Sequence, residues 1–137
     1  MVHDIVKIQV PAEVLNKPGK LSELELSLIR LHPQVGYDIL KAIRSPWPIP
    51  DAVLQHHERL DGSGYPRGLK SNEIIIEAKI LAVSDTVEAM SSHRPYRAGL
   101  GLDAALEEIV KLRGVQLDSD VVDACLRLFK EKGYKLP

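Results

Sequence analysis

Glu77-Ala78-Lys79-Ile80-Leu81-Ala82-Val83-Ser84-Asp85-Thr86-Val87-Glu88-Ala89-Met90-Ser91 contains neither glycine nor proline. Wound at about 100° per residue, it is apolar nearly all round, which predicts a buried helix over 77–91. The stretch just before it, Ile74-Ile75-Ile76, is the only short β-branched run, too short to carry a sheet. Downstream, Leu102 to Arg113 is amphipathic, with Leu106, Ile109 and Val110 expected inward and Gly114 as the C-terminal stop. Asp118 is placed to cap a last helix whose expected apolar stripe is Val121, Val122, Cys125, Leu128 and Phe129. Upstream, Ser22 and Glu25 form the pattern of a capping box. Leu24, Leu28, Leu31, Val35 and Ile39 then recur at helical spacing, and Pro33 interrupts them, which predicts a kink or two helices meeting near His32. A short helix is expected from Asp51, as N-cap, to about Glu58. Everything points to an all-α class, with residues 1–137 as a single domain and an irregular Gly/Pro-rich loop at 59–70.

Composition narrows the function. Of 137 residues, 45% are hydrophobic and 27% charged, the balance of a globular rather than a disordered chain. A formal charge of −1 offers no overall basic field for a nucleic-acid polymer. No apolar run reaches the roughly 18 residues that span a bilayer, and Met1-Val2-His3-Asp4 lacks the basic start and apolar stretch of a signal peptide, so neither a membrane nor export is expected. The single cysteine, Cys125, excludes an internal disulfide framework and a Cys-rich zinc module. Its place on a helical stripe reads as a core thiol, and the expected compartment is the cytoplasm.

Several polar residues sit where apolar ones belong. Asp85 shares a helical face with Ala78, Leu81, Ala82 and Ala89. A carboxylate there needs a cation, either a metal ion or a basic side chain. His32 lies on the apolar face with Leu28, Ile29, Val35 and Ile39, as a hydrogen-bonded core histidine or a ligand. His56 and His57 are adjacent; about 100° apart on a helix, they do not easily chelate one ion but can each reach a different ion of a pair. His3 and Asp4 are adjacent too, and Lys7 shares their helical face, although a chain end is also where side chains fray into solvent. His3, Asp4, His32, His56, His57 and Asp85 thus form one set that takes in four of the five histidines. Imidazole with carboxylate suits Fe, Mn, Ni or Zn, and the absence of thiolate argues against structural zinc. Two ions about 3.5–4 Å apart would share a carboxylate, for which Asp4 is the candidate, and a bridging hydroxide.

The segment His56-His57-Glu58-Arg59-Leu60-Asp61-Gly62-Ser63-Gly64-Tyr65-Pro66-Arg67-Gly68-Leu69 resembles the signature loop of the HD-GYP phosphodiesterases, and His3-Asp4-Ile5-Val6-Lys7 resembles the His-Asp motif of the wider HD superfamily. Lys17-Pro18-Gly19-Lys20-Leu21, His32-Pro33 with Gly36, Asp85 with Ala89-Met90, and Arg94-Pro95-Tyr96-Arg97 follow in the family's order. The resemblance implies an HD-type helical bundle with two divalent metal ions, Fe or Mn first and Ni, Mg or Zn as alternatives. It implies hydrolysis of cyclic di-GMP to the linear dinucleotide or GMP, through a hydroxide that bridges the metals. It assigns the metals to His3, Asp4, His32, His56, His57 and Asp85. It assigns catalysis to Asp4 and Lys7, and substrate binding to Tyr65, Arg94 and Arg97. Arginine matches phosphate oxygens with paired hydrogen bonds, and a lysine beside the metals stabilises charge on the transferring phosphoryl group. Tyr65 is alternatively a loop-packing aromatic, and Arg94 a partner for a surface carboxylate. Glu58 and Asp61 read as ties that hold the loop by hydrogen bonds rather than as catalytic acids.

The sequence departs from the family in two ways. The helices that precede the His-Asp motif in relatives, and the further ligands they supply, are expected to be absent here. The surface so exposed is expected to favour a homo-oligomer. Val6 stands where relatives have glycine between the motif's Ile and Lys, adding a stiff branched side chain near the metals. His93 is expected to face solvent. Two alternatives to cyclic di-GMP hydrolysis therefore remain: an HD-type phosphohydrolase of another nucleotide, and a catalytically impaired remnant that binds metal, nucleotide or a protein partner.

Overall fold

The structure, a computed structural model, describes residues 22–91 and 101–135. These residues form six α-helices and one short 3-10 turn: α1 (Glu23–Arg30), α2 (His32–Leu40), α3 (Ile49–Gln55), the 3-10 turn (Ser71–Glu73), α4 (Ile76–Ser91), α5 (Leu102–Leu112) and α6 (Ser119–Lys130). No strand occurs among the described residues, only two isolated bridges, Asp61 with Lys70 and Arg113 with Leu117. The class is all-α, and no described helix is long and apolar enough to cross a membrane.

α1 opens on the expected capping box. Ser22 Oγ accepts the Glu25 amide at 3.2 Å, and Glu25 Oε2 accepts the Ser22 amide at 3.1 Å. Leu31 ends α1 and begins α2, and Pro33 falls in the first turn of α2, where a missing N–H removes no helical hydrogen bond. This break shifts the phase of the apolar stripe. Leu24, Leu31 and Ile39, expected inward, are exposed, Leu24 at 73%. A stripe that is continuous on one straight helix is divided between two.

α3 begins before Asp51, not at it. Pro48 takes the cap position and Pro50 the first turn, so Asp51 lies inside the helix. The helix also stops at Gln55, with His56 as its C-cap, which leaves His57 and Glu58 outside. Gln55 Oε1 accepts the Ile75 amide at 2.9 Å and fixes the start of α4 to the end of α3.

α4 buries Ala78, Ala82, Val83 and Val87 but leaves Ile76 and Ile80 exposed, so its apolar circumference is covered on one side only. With Ala105, Leu106 and Ile109 of α5, Leu117, and Val122 of α6, its Ala82, Val83 and Val87 make one core. Val110 was expected in that core and is 49% exposed; it lies one helical step beyond Ile109, which is fully buried. Likewise Leu126, not Leu128, joins Val121, Cys125 and Phe129 against the core, because four steps from Val122 keep the face and six do not. Burial raises the pKa of the Cys125 thiol, consistent with a packing role.

Gly114 has a φ of +76°, where an L side chain would be strained, and it ends α5 as expected. Asp118 caps α6 by accepting the Val121 amide at 3.0 Å, while its second oxygen lies 3.7 Å from Lys79 Nζ of α4. Arg113 closes the α5–α6 pair with a two-pronged ion pair to Asp123, both contacts at 2.7 Å.

Two neighbouring substitutions test this packing. Ile109→Ala should lower the free energy of unfolding in urea by about 3 kcal/mol, by leaving a cavity in the core. Val110→Ala should change it by less than about 0.5 kcal/mol. Equal effects of the two would contradict the helix orientation.

Candidate metal centre

Three of the six residues expected as ligands come together. His32 opens α2, His56 caps α3 and His57 follows it. One ring nitrogen from each lies within 4.8 Å of the others. His32 Nδ1 is 2.6 Å from the Ile29 carbonyl oxygen, and His56 Nδ1 is 2.6 Å from the Val53 carbonyl oxygen. Carbonyl oxygens only accept, so each Nδ1 carries the proton, and each Nε2 is left with a lone pair. Both imidazoles are thereby held in the tautomer a metal ion needs. His57 Nε2 lies 3.1 Å from His32 Nε2. Two lone pairs at that distance repel unless a proton or a cation lies between them. The separation matches the edge between neighbouring ligands of one ion, each bound at about 2.1 Å. Helical geometry does not govern the His56–His57 pair, since the helix ends before it. The two rings lie 4.0 Å apart, tilted at 44°.

The electrostatics agree. The pKa of His57 is lowered to about 2, first by burial, then by the positive charges that His56 and His32 would carry. Arg59 pushes in the same direction, and Asp85 on α4 opposes it. A neutral imidazole is the form that binds a cation. Asp85 is half-buried and acts on His57, Arg59 and Tyr65 alike, so its charge faces this cluster.

The loop after His57 is tied down by two carboxylates. Glu58 is buried; its Oε1 accepts the Arg67 amide at 2.8 Å and its Oε2 the Leu69 amide at 2.9 Å. Asp61 Oδ1 accepts the Ser63 amide at 3.0 Å. Both residues act as ties. Gly64 passes directly over the backbone of the histidine pair. A Cβ there would collide with the His57 carbonyl oxygen and lie 2.6 Å from Arg59 N and Glu58 Cα. The Tyr65 amide donates to that carbonyl at 3.2 Å, and the Tyr65 ring stacks on the His57 imidazole, 4.9 Å apart and 17° from parallel.

Among protein-family models, the HD domain matches residues 1–121. The chain belongs to the HD domain family. The chain is 44% identical over 128 residues to the cyclic di-GMP phosphodiesterase response regulator RpfG of Xanthomonas campestris, covering 92% of this chain and 34% of that protein. It is 46% identical over 134 residues to a cyclic di-GMP phosphodiesterase of Thermotoga maritima, covering 95% and 36%. It is 38% identical over 128 residues to the 3'3'-cGAMP-specific phosphodiesterase 1 of Vibrio cholerae, covering 93% and 30%. The chain thus spans about a third of the length of these relatives. A solved structure, Bd1817, an HDG"Y"P protein from Bdellovibrio bacteriovorus, superposes with a TM-score of 0.68 over 88% of this chain and 38% of that one, at 16% identity, which shows the shared fold. The HD-GYP resemblance of the 56–69 loop stands with these findings.

Of the other expected site residues in the HD domain, His3, Asp4, Lys7, Arg94 and Arg97 lie outside the described residues, as do Val6 and His93. Two basic residues beside the cluster were not expected. Arg59 Nη1 donates to the carbonyls of His56 at 3.3 Å and Glu58 at 3.0 Å, and burial lowers its pKa. Arg30, at the end of α1, places its guanidinium 5.6 Å from the centre of the Tyr65 ring. Nothing in the sequence marked either one, since a charged residue in a loop or on the last turn of a helix reads as solvated.

Two outcomes follow for this HD domain. Gly64→Ala should weaken divalent-ion binding about 10–100-fold in a Mn²⁺ titration, by displacing the loop from His57, whereas Ser63→Ala should change it little. In the metal-free protein, the unfolded chain takes up a proton on His57 below about pH 6.5 that the folded cluster resists down to about pH 2. Stability should therefore be greatest above about pH 6.5 and fall as the pH drops from 7 to 5, with a shallower fall in His57→Asn; urea midpoints across this range check it.

Proposed function

We propose that this HD domain is the metal-dependent phosphodiesterase portion of a protein that hydrolyses cyclic di-GMP to the linear dinucleotide or GMP. The observation that carries the reading is the convergence of His32, His56 and His57, two of them oriented through Nδ1 by backbone carbonyls, beside a loop tied by Glu58. With Asp85 and, from outside the described residues, His3 and Asp4, they would hold two divalent ions, Fe or Mn first by donor type. Bound divalent ions supply charge neutralisation of the phosphodiester and a lowered pKa for attacking water. The chain's own part is to present neutral imidazoles, to place the opposed charges of Asp85 and Arg59 around them, and to cover one side of His57 with Tyr65. Lys7 would stabilise the phosphoryl group in flight, and Tyr65, Arg94 and Arg97 would bind the dinucleotide.

A second reading differs in one base. The match to the 3'3'-cGAMP-specific phosphodiesterase 1 of Vibrio cholerae supports a mixed guanine–adenine cyclic dinucleotide as substrate.

The experiment is metal analysis of the chain purified without chelator, together with hydrolysis of cyclic di-GMP and 3'3'-cGAMP in added Mn²⁺ or Fe²⁺. About two ions per chain are expected, with kcat/KM reduced on the order of 100-fold or more in His57→Ala. A chain that takes up no divalent ion and turns over neither dinucleotide would overturn the reading. The ratio of the two kcat/KM values decides between the substrates.

A further inference from the structure

We propose that Arg30 is a substrate-binding residue, its guanidinium taking a phosphate of the cyclic dinucleotide other than the one at the imidazole cluster. This rests on the phosphodiesterase reading above.

The turn that orients His32 also delivers Arg30. The carbonyl of Ile29 receives the His32 Nδ1 proton, Leu31 breaks the helix, and the residue between them comes to lie over Tyr65. Tyr65 in turn stacks on His57, so the same ring contacts both Arg30 and the cluster. Arg30 is exposed, and among the described residues no carboxylate pairs with it. A guanidinium resting on an aromatic face keeps its in-plane N–H groups free, and that fork matches two oxygens of a phosphate. The surroundings favour an anion. Arg59, whose Nη1 donates to the carbonyls of His56 and Glu58, puts a second guanidinium beside the same loop. Glu58, the buried carboxylate of this loop, has both oxygens engaged by backbone amides. A cyclic dinucleotide brings two phosphates on one small ring. When one occupies the cluster, the other needs a cation at the rim.

The test uses the full metal-loaded chain and the hydrolysis-resistant bis-phosphorothioate analogues of cyclic di-GMP and cyclic di-AMP, titrated by calorimetry at about 50 and about 300 mM NaCl. Arg30→Ala should weaken binding of both analogues about tenfold, and Arg30→Lys about two- to threefold, because lysine keeps the charge but loses the fork. Added salt should weaken wild-type binding more than that of Arg30→Ala. Thermal unfolding of the variants confirms that they fold. If wild type binds the analogues and hydrolyses cyclic di-GMP while folded Arg30→Ala binds as tightly, the assignment of Arg30 is wrong and the phosphodiesterase reading survives. A loss confined to the guanine analogue replaces the phosphate contact with a base contact and also overturns the proposal. Wild type that neither binds the analogues nor hydrolyses cyclic di-GMP or bis(p-nitrophenyl) phosphate removes the phosphodiesterase reading, and this proposal with it.

Discussion

Glu58 is a carboxylate buried next to a cluster of imidazoles, and its two oxygens hold the amides of Arg67 and Leu69. A buried charge is tolerated only when hydrogen bonds replace its water, so the loop must return to Glu58 for the chain to fold here at all. That return carries Gly64 across the backbone of the histidine pair and sets Tyr65 against His57. The short α3 then ends where it does because Glu58 faces the loop rather than a further helical turn. Glu58 thus fixes the loop side of the cluster, as the carbonyls of Ile29 and Val53 fix His32 and His56 on the helix side.

The cluster is also balanced in charge. His57 resists protonation because burial and its imidazole neighbours disfavour a positive charge, and Arg59 adds to this. Asp85 acts against all of them from α4. Arg59 alone beside these imidazoles would repel a cation. Asp85 offsets it locally, so charges of both signs flank the imidazoles. α4 therefore has two roles, with Asp85 toward the centre and Ala82, Val83 and Val87 toward the α5–α6 core.

Local signals were readable from the sequence. Ser22 with Glu25, Asp118 and Gly114 mark helix ends through contacts only a few residues long, and each end falls where the pattern places it. Glu58 as a tie followed from its place in a Gly/Pro-rich loop. What failed depended on phase over longer distances. The stripe through α1 and α2 assumed one axis, and the break at Leu31 gives two. The expected α3 ran to Glu58 because nothing local shows that a carboxylate will turn to amides nine and eleven residues ahead. The same error made His56 and His57 look divergent. Arg30 and Arg59 were missed for a related reason: their meaning comes from Tyr65 and the histidines, which only the fold brings near. The family resemblance named the histidine set, but the convergence of three of them is a property of the folded chain.

The Glu58 tie has a further consequence for susceptibility to cleavage. Proteases that cut after basic residues bind their target as an extended strand, with its backbone amides free to pair with the enzyme. The Arg67–Gly68 bond is exposed by sequence and surface, yet the amides on both sides of it, at Arg67 and Leu69, are already held by Glu58. Gly68 between them is fixed in a left-handed turn at φ +65°. Such a segment cannot extend without first releasing a buried carboxylate, so an arginine in an exposed, glycine-rich loop is shielded from trypsin by a residue it does not touch through its own side chain.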